Sequence, residues 1–350
     1  MSEQQQDGPV SDSPIEELVV TPTTSPVGLD IGTSKIVSAR KHGADVRTAA
    51  ELNAFIQVPY SRFTERTLGQ NKIPYYRDEE ELVIYGGSTE RFANMFNAEC
   101  RRPMADGMLN PREKSAMPVI EAILRRVVPK PRSQGEGLAF SVPAPASGRD
   151  SELTFHEATL RRHLEKLGYS PIAINEGLAV IFSELEDQNF TGVGISCGGG
   201  LCNVALAFLS IPSIMFSIPK GGDHIDAAAG AVTGEHATRM KVIKEEGLDL
   251  SKPPSDKHAE ALHIYYDDLL QTLVRSLKRA VSNADQLPRA ERPLPIVLAG
   301  GTAKPKGFRE RFEKVLRSQS FPFEVSEIRL AADPLTATAR GALIAAMYEK

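Results

Sequence analysis

Close to its start the chain carries Gly28-Leu29-Asp30-Ile31-Gly32-Thr33-Ser34-Lys35, and the rest of the sequence organises around this octet. Residues 27–31 and 36–40 are apolar enough for two strands, with Gly32, Thr33 and Ser34 as the turn between them. The free backbone N–H groups of such a turn form a concavity that suits phosphate oxygens, and glycine lets the chain come close. One glycine turn is weak evidence, since tight hairpins hold glycine for steric reasons alone. The pattern returns 166 residues later, where strands at 192–196 and 204–210 flank Cys197-Gly198-Gly199-Gly200. Two such turns, each ending an apolar strand in its own half, predict a clamp over one polyphosphate. A third glycine pair, Gly300-Gly301, follows the apolar run 296–299 and is placed to lie under a flat base or ribose.

Outward from these turns, strand and helix patterns alternate. Residues 110–111 read as the cap of a helix with Ile120, Ile123, Leu124 and Val127 on one face. A strand is expected at 137–143 and a helix at 153–167 that stops at Gly168. A strand at 172–175 follows, with Glu176 at its carboxyl end leading into another helix. The second half adds a strand at 214–219, a helix from 222 to about 246 and a Pro-rich link at 252–254. The longest helix is expected at 258–282, with Leu262, Tyr266, Leu269, Leu273 and Leu277 as its apolar stripe. A helix over 333–348 closes the chain. Alternating strands and helices with an internal duplication predict mixed α/β layers with helices on both faces.

The chain has 350 residues, more than one core usually serves. Its net charge of −4 gives no overall attraction to nucleic acid or anionic lipid. Residues 1–25 hold Glu3, Asp7, Asp12, Glu16 and Glu17 and no Lys or Arg, so the remainder is nearly neutral. That Pro-, Ser- and Gln-rich stretch, 1–26, is expected to be a disordered acidic tail. Cys100, Cys197 and Cys202 lack CxxC spacing, which suggests neither a zinc site nor a disulfide framework and leaves a pair across the sheet open. No secretory signal and no apolar run of about 18 residues is present, so a cytoplasmic protein is expected. His156 and His163 read as surface or packing residues, His258 and His263 lack a partner at metal spacing, and the 208–218 hairpin reads as a buried sheet element.

The spellings resemble the actin-like superfamily, in family order from residue 27 to the C-terminus. The octet is similar to its first phosphate motif, especially in bacterial FtsA and MreB. Val142-Pro143-Ala144 resembles a segment of MreB, and Arg102-Pro103-Met104-Ala105-Asp106-Gly107 one shared by MreB and MamK. Gly221-Gly222-Asp223-His224-Ile225-Asp226 is similar to the GGDxxD element. Leu298-Ala299-Gly300-Gly301-Thr302-Ala303 resembles the adenosine motif, and Asp333-Pro334-Leu335-Thr336 with Arg340-Gly341-Ala342 the second connecting helix.

That resemblance implies an α/β fold of two duplicated domains around a nucleotide cleft, the superfold of actin, the seventy-kilodalton heat-shock chaperones and hexokinase. Domain I would span 27–187 plus 333–350, and domain II 188–332. ATP or ADP with Mg²⁺ would be the ligand. Asp30 would hold the metal through water, and the amides of Gly32, Thr33 and Ser34 the β- and γ-phosphates, with Lys35 adding charge or turning into a salt bridge. Gly198, Gly199 and Gly200 would cradle phosphate from the other side. Glu176 would orient the attacking water, although Gly177 replaces the proline that follows this Glu in MreB. Gly222 and Asp223 would lie beside phosphates or ribose, and Lys241, Lys244 and Glu245 near adenosine, unless these are merely a solvated helix face. Gly300, Gly301 and Thr302 would complete the adenosine site.

One departure stands out. The second phosphate motif of the family, DxGGGT, is here Ser196-Cys197-Gly198-Gly199-Gly200-Leu201, so a carboxylate and a hydroxyl are replaced. Phosphoryl transfer relies on positioning and metal electrostatics, so hydrolysis should suffer more than binding. The resulting expectation is a weak ATPase that polymerises into cytoskeletal filaments, with itself as partner and with membrane-associated or cell-organising proteins as further ones. The alternative is an ATP-binding adaptor of the FtsA or PilM type with little hydrolysis. A kinase or chaperone of the same superfold would need insertions that the chain lacks.

Overall fold

The protein is described by a computed structural model covering residues 26–96, 100–145, 150–284, 287–288 and 292–348. Residues 1–25 of the expected tail lie outside the described residues.

The first sheet opens with an antiparallel meander of β1 (Val27–Ile31), β2 (Lys35–His42) and β3 (Asp45–Leu52). A small layer follows, formed by β4 (Phe55–Pro59), α1 (Arg62–Gln70), β5 (Tyr75–Asp78), β6 (Glu81–Tyr85) and α2 (Thr89–Phe96). It closes its own core with Ile56, Leu68, Leu82, Ile84 and Phe92. The short ribbon β7 (Met104–Ala105) and β8 (Met108–Leu109) turns through Asp106 and Gly107, both at positive φ. Next come α3 (Ala116–Val127), β9 (Glu136–Val142), α4 (Asp150–Lys166), β10 (Tyr169–Asn175) and α5 (Glu176–Glu184). β9 and β10 extend the sheet from β1 in parallel, giving the order β10-β9-β1-β2-β3.

The second half repeats the arrangement. β11 (Gly192–Cys197), β12 (Cys202–Phe208) and β13 (Ile211–Ile218) form the meander. Three helices follow: α6 (Gly222–Thr233), α7 (Ala237–Gly247) and α8 (Lys257–Ser282). The chain finishes with β14 (Leu294–Ala299), α9 (Phe308–Arg317), β15 (Val325–Leu330) and α10 (Ala337–Tyr348). The order β13-β12-β11-β14-β15 again places antiparallel strands on one side of the first strand and parallel strands on the other. The stripe of α8 is buried in the core of this half, and Asp256 caps the helix by accepting from the amides of His258 and Ala259.

Two connecting helices join the halves, and glycine makes their approach possible. A Cβ on Gly28 of β1 would lie 2.1 Å from the Ala339 carbonyl of α10, and one on Gly194 of β11 would lie 2.2 Å from the Gly177 carbonyl of α5. The helices also cross each other at a glycine, since a Cβ on Gly341 would lie 1.7 Å from the Ala179 carbonyl. Equivalent strands thus receive equivalent helices at equivalent glycines.

Several boundaries differ from the sequence expectations. Asn110 does not cap α3: it accepts from the Arg112 amide in a turn, and Ser115 stands before the helix. The helix expected from 222 to 246 is two, because Gly234 adopts φ 77° and His236 is extended. The last helix starts at Ala337, because the Asp333 carboxylate accepts from the Leu335 amide and the Thr336 hydroxyl and shapes a turn. The tip of the 208–218 hairpin is not buried: Leu209 and Ile211 are exposed.

The glycine crossing gives a stability test. Gly341→Ala should cost at least about 2 kcal/mol by overpacking backbone against backbone. Gly69→Ala, on α1 with open space around its Cβ position, should instead gain up to about 1 kcal/mol of helix propensity. Urea denaturation of both variants measures this, and equal effects would contradict the packing account.

Candidate nucleotide cleft

The two predicted turns close in the same way. Gly32 N–H donates to the Lys35 carbonyl at 3.0 Å, and Gly198 N–H to the Leu201 carbonyl at 3.0 Å. They also touch: a Cβ on Gly199 would lie 2.3 Å from Ser34 Oγ, and one on Gly200 2.6 Å from Thr33 Oγ1. The N-terminus of α6 docks on the second turn, with the Gly222 and Asp223 amides donating to the Gly198 and Gly199 carbonyls at 3.0 and 2.8 Å. The third turn joins them through Thr302 Oγ1, which donates to the Gly198 carbonyl at 2.8 Å.

Around these turns lies a cleft of about 490 Å³, within the usual range for small-molecule sites. Every residue singled out from the sequence lines it: Asp30, Gly32, Thr33, Ser34, Lys35, Glu176, Gly198, Gly199, Gly200, Gly222, Asp223, Lys241, Lys244, Glu245, Gly300, Gly301 and Thr302, as does Ser196. Two of the lysines are already engaged. Lys241 Nζ pairs with Glu90 of α2 at 2.7 Å, across the cleft. Lys244 Nζ pairs with the buried Asp226 at 2.7 Å and donates to the Gly222 carbonyl. Lys35 is exposed on the cleft wall.

The floor is acidic. Ser141 Oγ donates to Asp30 Oδ1 at 2.7 Å while accepting from the Ile31 amide at 3.1 Å. Burial pushes the Asp30 carboxyl up to about 6, and the Ser141 hydrogen bond only partly offsets this. Glu176, the first residue of α5, lies behind the Asn175 cap. Its carboxylate accepts from Ser196 Oγ at 3.2 Å. Burial, followed by the charge of Asp30, pushes Glu176 up to about 8, against the opposing effects of Ser196 and Asn203. Burial and the charge of Asp30 both favour the protonated form of Glu176.

Sequence reasoning passes over several residues of the site. Ser141 directly precedes Val142-Pro143-Ala144, and Asn203 follows Cys202 on β12, where its Oδ1 accepts from the Ala144 amide at 2.8 Å. Lys304 and Lys306 follow the third turn and line the cleft. Arg102, to which the sequence assigns no role, spans the domains: its Nη1 donates to Ser34 Oγ at 2.9 Å and to the Asp223 carboxylate at 2.9 and 3.0 Å. His156 is buried and accepts from the Leu109 amide through Nδ1, and His163 pairs with Glu121.

Duplicated sheets of this order, joined by crossing helices around one cleft, define an actin-like fold. Solved structures agree. The chain is similar to a MamK double helical filament at TM-score 0.69 and 18% identity, covering 93% of this chain and 99% of that one. It is similar to MreB5 of Spiroplasma citri bound to AMPPNP at TM-score 0.65 and 15% identity, covering 92% and 96%. It is also similar to the ethanolamine utilization protein EutJ from Carboxydothermus hydrogenoformans at TM-score 0.55 and 17% identity, covering 93% and 91%. No curated protein matches the sequence. The Volactin family model matches residues 26–346, and the chain belongs to the Volactin family.

The acidic floor predicts a pH dependence. From about 4.5, the ordinary value of Glu176, to about 8, the folded protein keeps a proton that the unfolded chain releases, so stability falls as pH rises through that window. Glu176→Gln should flatten the fall and be the more stable protein at pH 8 by more than about 1 kcal/mol. Denaturation of both proteins at pH 5, 6.5 and 8 checks this; parallel curves would contradict it.

Proposed function

We propose that this protein is an ATP-binding, actin-like cytoskeletal protein of the cytoplasm that assembles into filaments and turns ATP over slowly. The observation that carries the reading is the meeting of three glycine turns, two of them equivalent by duplication, over a single cleft with a carboxylate floor. With the Gly32 and Gly198 amides closing the turns, the amides of Thr33, Ser34, Gly199 and Gly200 suit phosphate oxygens. The N-terminus of α6 braces the second turn through the Gly222 and Asp223 amides. Gly300 and Thr302 leave a flat surface for the base.

Among the described residues, no three His, Cys, Asp or Glu side chains gather as a metal cluster. The site still fits Mg²⁺, which favours one or two carboxylates together with water and phosphate oxygens. Asp30 is a desolvated carboxylate, and the nearby Glu176 adds to the acidity of the floor. Asp30 would hold the cation through water. A bound Mg²⁺ would supply charge neutralisation at the β- and γ-phosphates.

Slow turnover follows from the chain's own residues. Glu176 is placed to orient a water molecule, and a bound cation would favour its ionised, accepting form. Ser196 offers Glu176 a neutral hydroxyl where the family motif has an aspartate, and Leu201 replaces a hydroxyl. Likeness to a MamK filament supports self-association. The same two departures favour a second reading, an adaptor that keeps ATP as a structural ligand.

ATP with Mg²⁺ should raise the melting temperature by mass action, and Asp30→Ala should weaken that rise; an unmoved wild-type curve would sink the nucleotide reading. Light scattering should grow with ATP above a critical concentration, whereas a chain that stays monomeric would support the adaptor. Ser196→Asp should raise steady-state phosphate release about tenfold at saturating Mg²⁺, corresponding to roughly 1.4 kcal/mol. A lower rate in that variant would contradict the assigned role of Ser196.

A further inference from the structure

Cys197 and Cys202 end β11 and start β12, directly opposite each other in the ladder. They form the stem of the Gly198–Leu201 turn. Gly198 and Leu201 are a hydrogen-bonded pair, so the next pair outward is the non-hydrogen-bonded type, in which Cα atoms stand about 4.5 Å apart. That spacing falls within the roughly 4.4–6.8 Å that a disulfide spans. Both side chains lie on one face of the sheet, fully buried in the same core. Cys197 is also the largest influence on the Cys202 thiol, which is held well above its ordinary range.

The duplication shows that the turn does not need cysteine. In the first domain the equivalent stem pair is Ile31 and Ile36, which closes the same turn with ordinary apolar side chains. We propose that Cys197 and Cys202 form a reversible disulfide that reshapes the second phosphate turn and weakens nucleotide binding. Both thiols are reduced here. A two-electron oxidant of the peroxide class would convert one thiol, reacting through its thiolate, to a sulfenic acid; the O–O bond breaks, and the departing hydroxide takes up the thiol's proton and leaves as water. The second thiol, attacking through its thiolate, would then displace hydroxide from that sulfur; the S–S bond forms, the S–O bond breaks, and the hydroxide takes up the second thiol's proton and leaves as water. A dithiol reverses the reaction, itself becoming a disulfide.

The surroundings explain why the bond would be felt in the cleft. The Cys197 backbone is fixed against Gly300, where a Cβ would lie 2.1 Å from the Cys197 carbonyl. The Gly198 carbonyl already accepts from the Gly222 amide and Thr302 Oγ1. A disulfide prefers a Cα spacing of roughly 5.5–6 Å, so the bond would press this stem apart and shift a turn whose neighbours cannot follow. Ser196, Gly198 and Leu201 line the cleft beside the pair, while both thiols face the core on the other side of the sheet. Burial makes the reaction slow, and it should quicken as pH rises.

The chain is treated with hydrogen peroxide, alkylated and digested with trypsin. Residues 167–220 contain no Lys or Arg before Lys220, so one peptide carries both cysteines and excludes Cys100. The expected product is that peptide lighter by two hydrogens and unalkylated, restored by dithiothreitol. Mg²⁺ with ATP should shift a dithiol–disulfide buffer toward the free thiols, and the oxidised protein should bind ATP about tenfold more weakly, since coupling between two sites is reciprocal at equilibrium. Cys202→Ala, with Cys202→Val as the bulkier filling should the first fold poorly, should bind ATP equally before and after peroxide. Full alkylation of both cysteines after prolonged peroxide, or oxidation to sulfinic acid without a bond, would overturn the proposal. So would a disulfide that leaves ATP affinity unchanged. The affinity arm rests on the nucleotide reading above; failure of the reduced protein to bind ATP counts against that reading, while the peptide mass decides the bond by itself.

Discussion

Asp30 and Glu176 place two carboxylates at the bottom of one cleft, away from water, and the rest of the site is arranged around that constraint. Burial disfavours the charge on each, and the charge of Asp30 further disfavours ionising Glu176. Ser141 and Ser196 answer with one hydroxyl apiece. A third carboxylate at position 196 would crowd this floor unless a cation balanced it, and serine removes that demand.

The floor exists because two strands and one helix end at the same place. β1 delivers Asp30, β11 delivers Ser196, and the cap of α5 delivers Glu176. Their convergence depends on Gly28, Gly194 and Gly177, where any side chain would collide with backbone. Above the floor the domains are held together by charge. Arg102 fastens the first turn to Asp223 on α6, and Lys241 reaches Glu90 on the small layer. These pairs link the first glycine turn to α6 and α7 to the small layer, and salt can screen them.

Much of this is legible in the sequence because it is written locally. A glycine turn between apolar strands declares itself within a few residues, and all the residues singled out around such turns line the cleft. The stripe of α8 is equally plain. The features that the sequence hides depend on contacts distant in the chain. β3 and β5 are largely exposed and carry little two-residue alternation, so the small layer leaves no pattern. Ser141 looks like any strand serine until Asp30 is beside it, 111 residues away. The lysines of α7 point toward a ligand in the sequence, but their partners, Glu90 and Asp226, come from other elements. The break at Gly234 is hidden by helix-forming residues on both sides.

On the proposed function, this floor holds ATP without consuming it quickly. The most direct measurement is the nucleotide content of the protein after incubation with ATP and Mg²⁺, rapid removal of free nucleotide, acid quench and chromatography. The expected result is one nucleotide per chain, still ATP, with ADP accumulating only slowly on the protein. A chain that emerges empty, or that carries ADP alone at the earliest time, would contradict it.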